Sequence, residues 1–194
     1  MIELLRRALG DLASLRARYA LVGGHAVSVR TEPRFTRGLD LAVAVTNDRE
    51  AEALVTALGS RGYRIVAIVE QEATGRLATV RLEHGSAPGV MVDLLFATAG
   101  IEAEVVDGAT TVSLAPELAL PVASVGHLLA LKVLSIDDRT RPQDRLDVAA
   151  LLRTATTDDL RIARHALSTI HDRGCDRGRD LPTWFERLQR ELTP

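Results

Sequence analysis

Apolar residues recur along this chain with two periods. Near the start, Leu4, Leu5, Ala8, Leu9, Leu12 and Leu15 follow the i, i+3, i+4 spacing of a helix with one buried face, which predicts a helix over 2–18. Residues 19–22 (YALV) then read as a short buried strand. Gly23 and Gly24 end that strand with a backbone that can approach a ligand without Cβ interference. A helix follows from His25 to about Arg30, so the turn combines exposed amides with the positive end of a helix dipole, a natural seat for phosphate. After a polar loop over 31–37 comes a second strand, 39–45 (LDLAVAV).

The later pattern is mixed and then helical. Residues 48–59 read as a helix with Asn47 or Asp48 at its N-cap, and 63–69 as a strand. Over 76–83, Leu77, Thr79 and Arg81 alternate with Ala78, Val80 and Leu82, the mark of a strand with one wet face. A turn at 84–89 (HGSAPG) returns the chain into the apolar strand 90–96 (VMVDLLF). A short helix at 101–108 and an edge strand at 110–114 follow, and Pro116 and Pro121 bracket an irregular link. Ser124 caps a helix over 125–136, Pro142 opens the next, and Thr156 or Thr157 caps a third that runs to Ile170. Residues 173–180 alternate Arg, Asp and Gly without a packing signal and read as a mobile loop. A terminal helix over 181–192 docks through Trp184 and Phe185. The pattern is α/β (α+β): a mixed-sheet core over 1–114 and a helical part over 115–194 that closes one side of a cleft.

Composition narrows the class. The chain has 194 residues, 46% of them hydrophobic, which supports a buried core and argues against disorder. No apolar run approaches the roughly 20 residues of a membrane span, so no membrane partner and a cytoplasmic location are expected. Cys175 is the one cysteine and reads as an incidental thiol that cannot form an internal disulfide. The scattered histidines make no zinc site. With a net charge of −2, any nucleic acid must be held by a local patch instead of the overall field.

Three features carry chemistry. Asp40 and Asp93 each place one carboxylate inside an apolar strand, a costly position unless it is paired or holds a metal. If the two lie close together, a magnesium ion between them removes their mutual repulsion; the structural alternative for Asp93 is a satisfied cap at a strand end. Of 24 lysines and arginines, Lys132 alone is lysine, and its apolar neighbours would bury its stem and send its ammonium towards something negative. Arg30, Arg34 and Arg37 beside the first acid could grip phosphates, or line a solvated loop. Asp144 and Asp147, three apart, share one side of a helix, where a surface network with Arg141 and Arg145 is the alternative to a functional role.

The glycine pair, a spacer of about a dozen residues and an acid on the next strand (LVGGHAVSVR, EPRFTRGLDLAVAV) resemble the signature of the DNA polymerase β-like nucleotidyltransferase superfamily, and in particular its AbiEii-type toxin branch. The stretch from Lys132 through Arg139, Gln143, Asp144 and Asp147 is similar to the second motif of that branch. The resemblance implies a polymerase β-like core that transfers a nucleotide from an NTP to an acceptor, with the 3′ end of tRNA as acceptor and a cognate antitoxin as partner. It implies Mg2+ (or Mn2+) held by Asp40 and Asp93. It places Gly23, Gly24, Thr36, Arg37 and Lys132 at the nucleotide and counts Asp40, Asp93, Lys132 and Asp144 as catalytic. Where the family pattern has Asp-x-Asp, this chain has Gly38 before Asp40, so one metal-binding acid is missing. A catalytically dead protein that binds a nucleotide or an antitoxin is the alternative.

Overall fold

The computed structural model describes residues 2–32, 38–116, 118–137 and 142–192. Helix α1 (Ile2–Ser14) buries Leu4, Leu5, Ala8, Leu9 and Leu12, the stripe its spacing predicts. It stops four residues before the expected end. Arg16 takes a left-handed φ of 54°, and the Ala17 and Arg16 amides bond back to the Leu12 and Ala13 carbonyls, a Schellman stop without the usual glycine. Strand β1 (Arg18–Val22) then leads into helix α2 (Gly23–Arg30), which begins on the first glycine instead of at His25.

Strand β2 (Gly38–Ala44), helix α3 (Asp48–Gly59), strands β3 (Tyr63–Glu70), β4 (Leu77–His84) and β5 (Met91–Leu95), helix α4 (Glu102–Asp107) and strands β6 (Thr110–Ala115) and β7 (Leu118–Val122) complete one seven-stranded sheet. Its order is β3-β4-β5-β2-β1-β7-β6. The β2–β5 and β1–β7 pairs are parallel and the others antiparallel, so the sheet is mixed. Helix α3 starts as its cap residue dictates, with the Asn47 side chain accepting from the Glu50 amide.

The link expected between Pro116 and Pro121 is instead strand β7, because Leu118, Leu120 and Val122 alternate as buried residues. Pro121 is tolerated because β7 meets β1 only at Leu21 and Val122, so the donor it lacks is not needed along that edge. The sheet therefore continues past Leu114. Strand β3 forms the opposite edge and leaves Ile65, Val66, Ile68 and Val69 exposed.

Helices α5 (Val125–Ser135), α6 (Pro142–Thr154), α7 (Thr157–Asp172) and α8 (Leu181–Leu192) follow the sheet. The Ser124 cap and the reciprocal Thr156–Asp159 capping box fix two of their starts. Segment 173–180, expected to be mobile, is docked: Cys175 is buried, Arg173 donates to the Gly100 carbonyl and Arg179 to the Leu134 and Ile136 carbonyls, and Arg179 stacks on the Trp184 ring. No helix among the described residues is long and apolar enough to cross a membrane.

Glu102, at the start of α4, is 4% exposed and its Oε1 accepts from the Ala99 amide at 2.7 Å. Burial pushes its pKa above the ordinary glutamate value, only partly offset by backbone amides. An acid with a raised folded-state pKa contributes stability below its unfolded pKa and loses it as pH rises through the folded value. Replacement by glutamine removes this penalty, so the Tm of Glu102→Gln relative to wild type is expected to rise between pH 4 and pH 8. A calorimetric pH series in which the difference stays flat or reverses contradicts the assignment.

Candidate active site

One row of residues runs across four strands. Val22 of β1 lies opposite Asp40 of β2, Asp40 opposite Asp93 of β5, and Asp93 opposite Arg81 of β4. Residues directly opposite in a sheet share a face, so both acids and the arginine project from the same side, with neighbouring strands about 4.8 Å apart. The Asp93 carboxylate is held at both ends: Arg81 Nε donates to Oδ1 at 2.8 Å and Nη2 to Oδ2 at 2.7 Å. Asp93 keeps 14% of its side chain exposed and Arg81 49%. The Asp93 hydrogen bonds, its charge and the more distant charge of Asp40 all hold the Arg81 guanidinium more firmly protonated than usual.

Gly23 adjoins Asp40. It has φ +66°, and a Cβ built on it would overlap the Asp40 carboxylate, so both the backbone angle and the space require glycine. Gly38 is different. It lies two residues before Asp40 on the same face, and a Cβ there would meet only the Met91 carbonyl oxygen at 3.6 Å, an ordinary contact. The sheet has room for a side chain at 38.

The opposite wall comes from the helices. Lys132, in the last turn of α5, donates to Asp144 Oδ1 at 2.6 Å, and its Nζ lies 2.8 Å from Asp147 Oδ2. Both acids sit on α6 and are 6% and 1% exposed, and Gln143 Nε2 also reaches Asp147. The two carboxylates fix the ammonium in direction and outnumber it in charge. Lys132 lines, together with Gly23, Gly24, Asp40, Arg81 and Asp93, a single cavity of about 370 Å³.

The structure thus brings Gly23, Gly24, Asp40, Asp93 and Lys132 to one cleft, with Asp144 behind the lysine. Thr36 and Arg37, like Arg34 and Arg139, lie outside the described residues. Arg30 does not face the cleft: its guanidinium donates to the Val122 and Ala123 carbonyls and to Thr110, pinning α2 to the end of the sheet. Arg145 pairs with Glu191 instead of the acids of its own helix. Arg81 joins the site although the sequence marked it only as part of a wet strand face. Arg177, from the docked 173–180 segment, also lines the cavity.

Among the described residues no three His, Cys, Asp or Glu side chains are gathered so as to hold a metal ion. Asp40 and Asp93, opposite one another on parallel strands, fit one shared divalent ion. A two-ion arrangement does not fit, because Gly38 brings no oxygen to the pair.

A mixed sheet with a glycine turn, an acid pair beside it and a helical wall defines a nucleotidyltransferase fold. Solved structures agree at the level of fold. The chain is similar to an antigenic nucleotidyltransferase-like protein from Paracoccidioides brasiliensis (20% identity, TM-score 0.51, 91% of this chain and 88% of that one). It is also similar to ANT(2")-Ia in complex with adenylyl-2"-tobramycin (14%, TM-score 0.52, 96% and 97%) and to the lincosamide antibiotic adenylyltransferase LnuA, lincomycin-bound (16%, TM-score 0.50, 80% and 98%). Residues 4–193 match the profile of the nucleotidyl transferase AbiEii toxin, type IV TA system, and the chain belongs to that family. No curated protein matches it in sequence.

Two substitutions test the geometry. Gly23→Ala forces a left-handed alanine against Asp40 and is expected to cost about 1–3 kcal/mol in urea denaturation; a neutral result contradicts the close approach. Lys132→Met leaves two buried carboxylates without their cation and is expected to cost about 3–5 kcal/mol. Adding Asp144→Asn and Asp147→Asn should recover most of that loss, and no recovery contradicts the ion-pair account.

Proposed function

We propose that this chain is a toxin nucleotidyltransferase that transfers a nucleotide from an NTP to an RNA hydroxyl, the 3′ end of tRNA, with catalysis attenuated by Gly38 and a cognate antitoxin as its cytoplasmic partner. The observation that carries this reading is the gathering of Gly23, Gly24, Asp40, Asp93 and Lys132 around one cleft in a chain of the AbiEii family.

In the proposed reaction the acceptor oxygen attacks the α-phosphorus, the bond to the β-phosphate oxygen breaks, and pyrophosphate leaves with the electron pair. The Gly23-Gly24 backbone at the start of α2 would cradle the triphosphate, aided by Thr36 and Arg37 from the sequence between α2 and β2. Lys132, aimed by Asp144 and Asp147, would steady the leaving phosphates. Asp40 and Asp93 would hold Mg2+ (or Mn2+), which neutralises charge on the phosphates when bound. Residues 115–194 would act as the part that closes the cleft over the nucleotide, an assignment supported by the place of Lys132 on α5.

The second reading, a nucleotide- or antitoxin-binding protein without turnover, is favoured by the glycine at 38 and by the hold of Arg81 on Asp93. Incubation with labelled NTPs, magnesium and total tRNA beside Gly38→Asp separates the two. A Cβ at residue 38 meets no close contact, so the variant is expected to carry the carboxylate and labelling of RNA to rise on the order of tenfold over a measurable wild-type level. Labelling by the variant alone establishes the binding-protein reading for this chain. Labelling by neither, while both bind NTP, removes tRNA as the acceptor.

A further inference from the structure

The hold of Arg81 on Asp93 has the form of a resident ligand. A carboxylate facing a metal would offer its oxygens to the ion; here a guanidinium fork spans both, at 2.8 and 2.7 Å. The fork is also fixed in place. Arg81 and Asp93 are direct cross-strand partners in the β4–β5 hairpin, so the pair needs no loop to form it. The arginine faces an acid pair that is one carboxylate short, because Gly38 leaves open a position where a side chain would fit.

We propose that Arg81 is the built-in counter-cation of Asp93 in this cleft. It takes the position on Asp93 that a divalent ion would otherwise hold, so the cleft does not load a divalent ion by itself, and the single ion it uses arrives with the triphosphate. The arginine does more than block. Of its five N–H donors, Nε–H and one on Nη2 are spent on Asp93, and about half of the side chain is exposed where it lines the cavity. The remaining donors can meet a phosphate oxygen, and the fork yields an Asp93 oxygen to the ion that the triphosphate brings. The proposal rests on the reading of this cleft as the nucleotide site.

The test uses Mn2+ alone as probe, followed by electron paramagnetic resonance on the full-length protein without nucleotide. Wild type is expected to show only weak binding. Arg81→Met, which removes the competing charge and frees both Asp93 oxygens, should bind Mn2+ at least about tenfold more tightly. Adding Asp93→Asn to Arg81→Met should abolish the gain, placing the ion at this acid. Tight Mn2+ binding by wild type, or an Arg81→Met variant with an intact thermal melt and unchanged or weaker affinity, overturns the proposal. ATP binding is measured separately with Mn2+ and with EDTA. Arg81→Met should lose affinity for ATP in EDTA by roughly tenfold, the contact of a charged donor with phosphate; equal affinity overturns the phosphate role. Failure of every variant to bind ATP would remove the nucleotide-site reading, yet the Mn2+ comparison would still report on Arg81.

Discussion

An ionised carboxylate in an apolar strand or helix must be met by positive charge, and this cleft is shaped by the two places where that requirement is satisfied. On the sheet, Asp93 is met across the hairpin by Arg81; on the helices, Asp144 and Asp147 are met by Lys132. The two cations are not interchangeable. One carboxylate edge is matched by the planar fork of a guanidinium, whereas two carboxylates converging on one point are matched by a compact ammonium with donors to spare. The single lysine of an arginine-rich chain stands at the second kind of site.

The same constraint explains why backbone geometry is so specific beside Asp40. Its carboxylate fills the space a Cβ on Gly23 would need, so the turn that starts α2 is packed directly against the acid. The amides at the start of α2 and the oxygens of Asp40 are thereby held close to one another. A triphosphate bound at those amides would have its phosphates near the acid pair. Gly38 shows the contrast: no left-handed angle and no close neighbour require glycine there, so the backbone gains no special shape from it.

Much of this was legible from local chemistry. Caps at Asn47, Ser124 and Thr156 mark helix starts because the cap bond lies within three residues of its partner. Asp40 and Asp93 stand out because a charge in an apolar run is conspicuous wherever it falls. The end of α1 was hidden because Arg16 occupies a left-handed stop that glycine normally signals, and β7 because two prolines disguise its alternation of Leu118, Leu120 and Val122. Arg30 misled for another reason: its carbonyl partners lie more than ninety residues away, and carbonyls leave no mark in a sequence. Arg81 was within reach. A hairpin closed by the turn at 84–89 that pairs Glu83 with Met91 must also pair Arg81 with Asp93, so the strand alternation and the turn together contained the contact.

Charge balance then bears on how a nucleotide can enter. Four acids stand at this cleft, Asp40 and Asp93 on the sheet and Asp144 and Asp147 on the helices, beside Arg81, Lys132 and Arg177. A polyanion approaching such walls is repelled unless it brings positive charge or finds it at the rim. A divalent ion bound to a triphosphate would bring such charge with it. Acids on both walls would therefore favour a metal-complexed nucleotide over the free one. Such a preference would come from the carboxylates of the cleft and would not depend on the identity of the base.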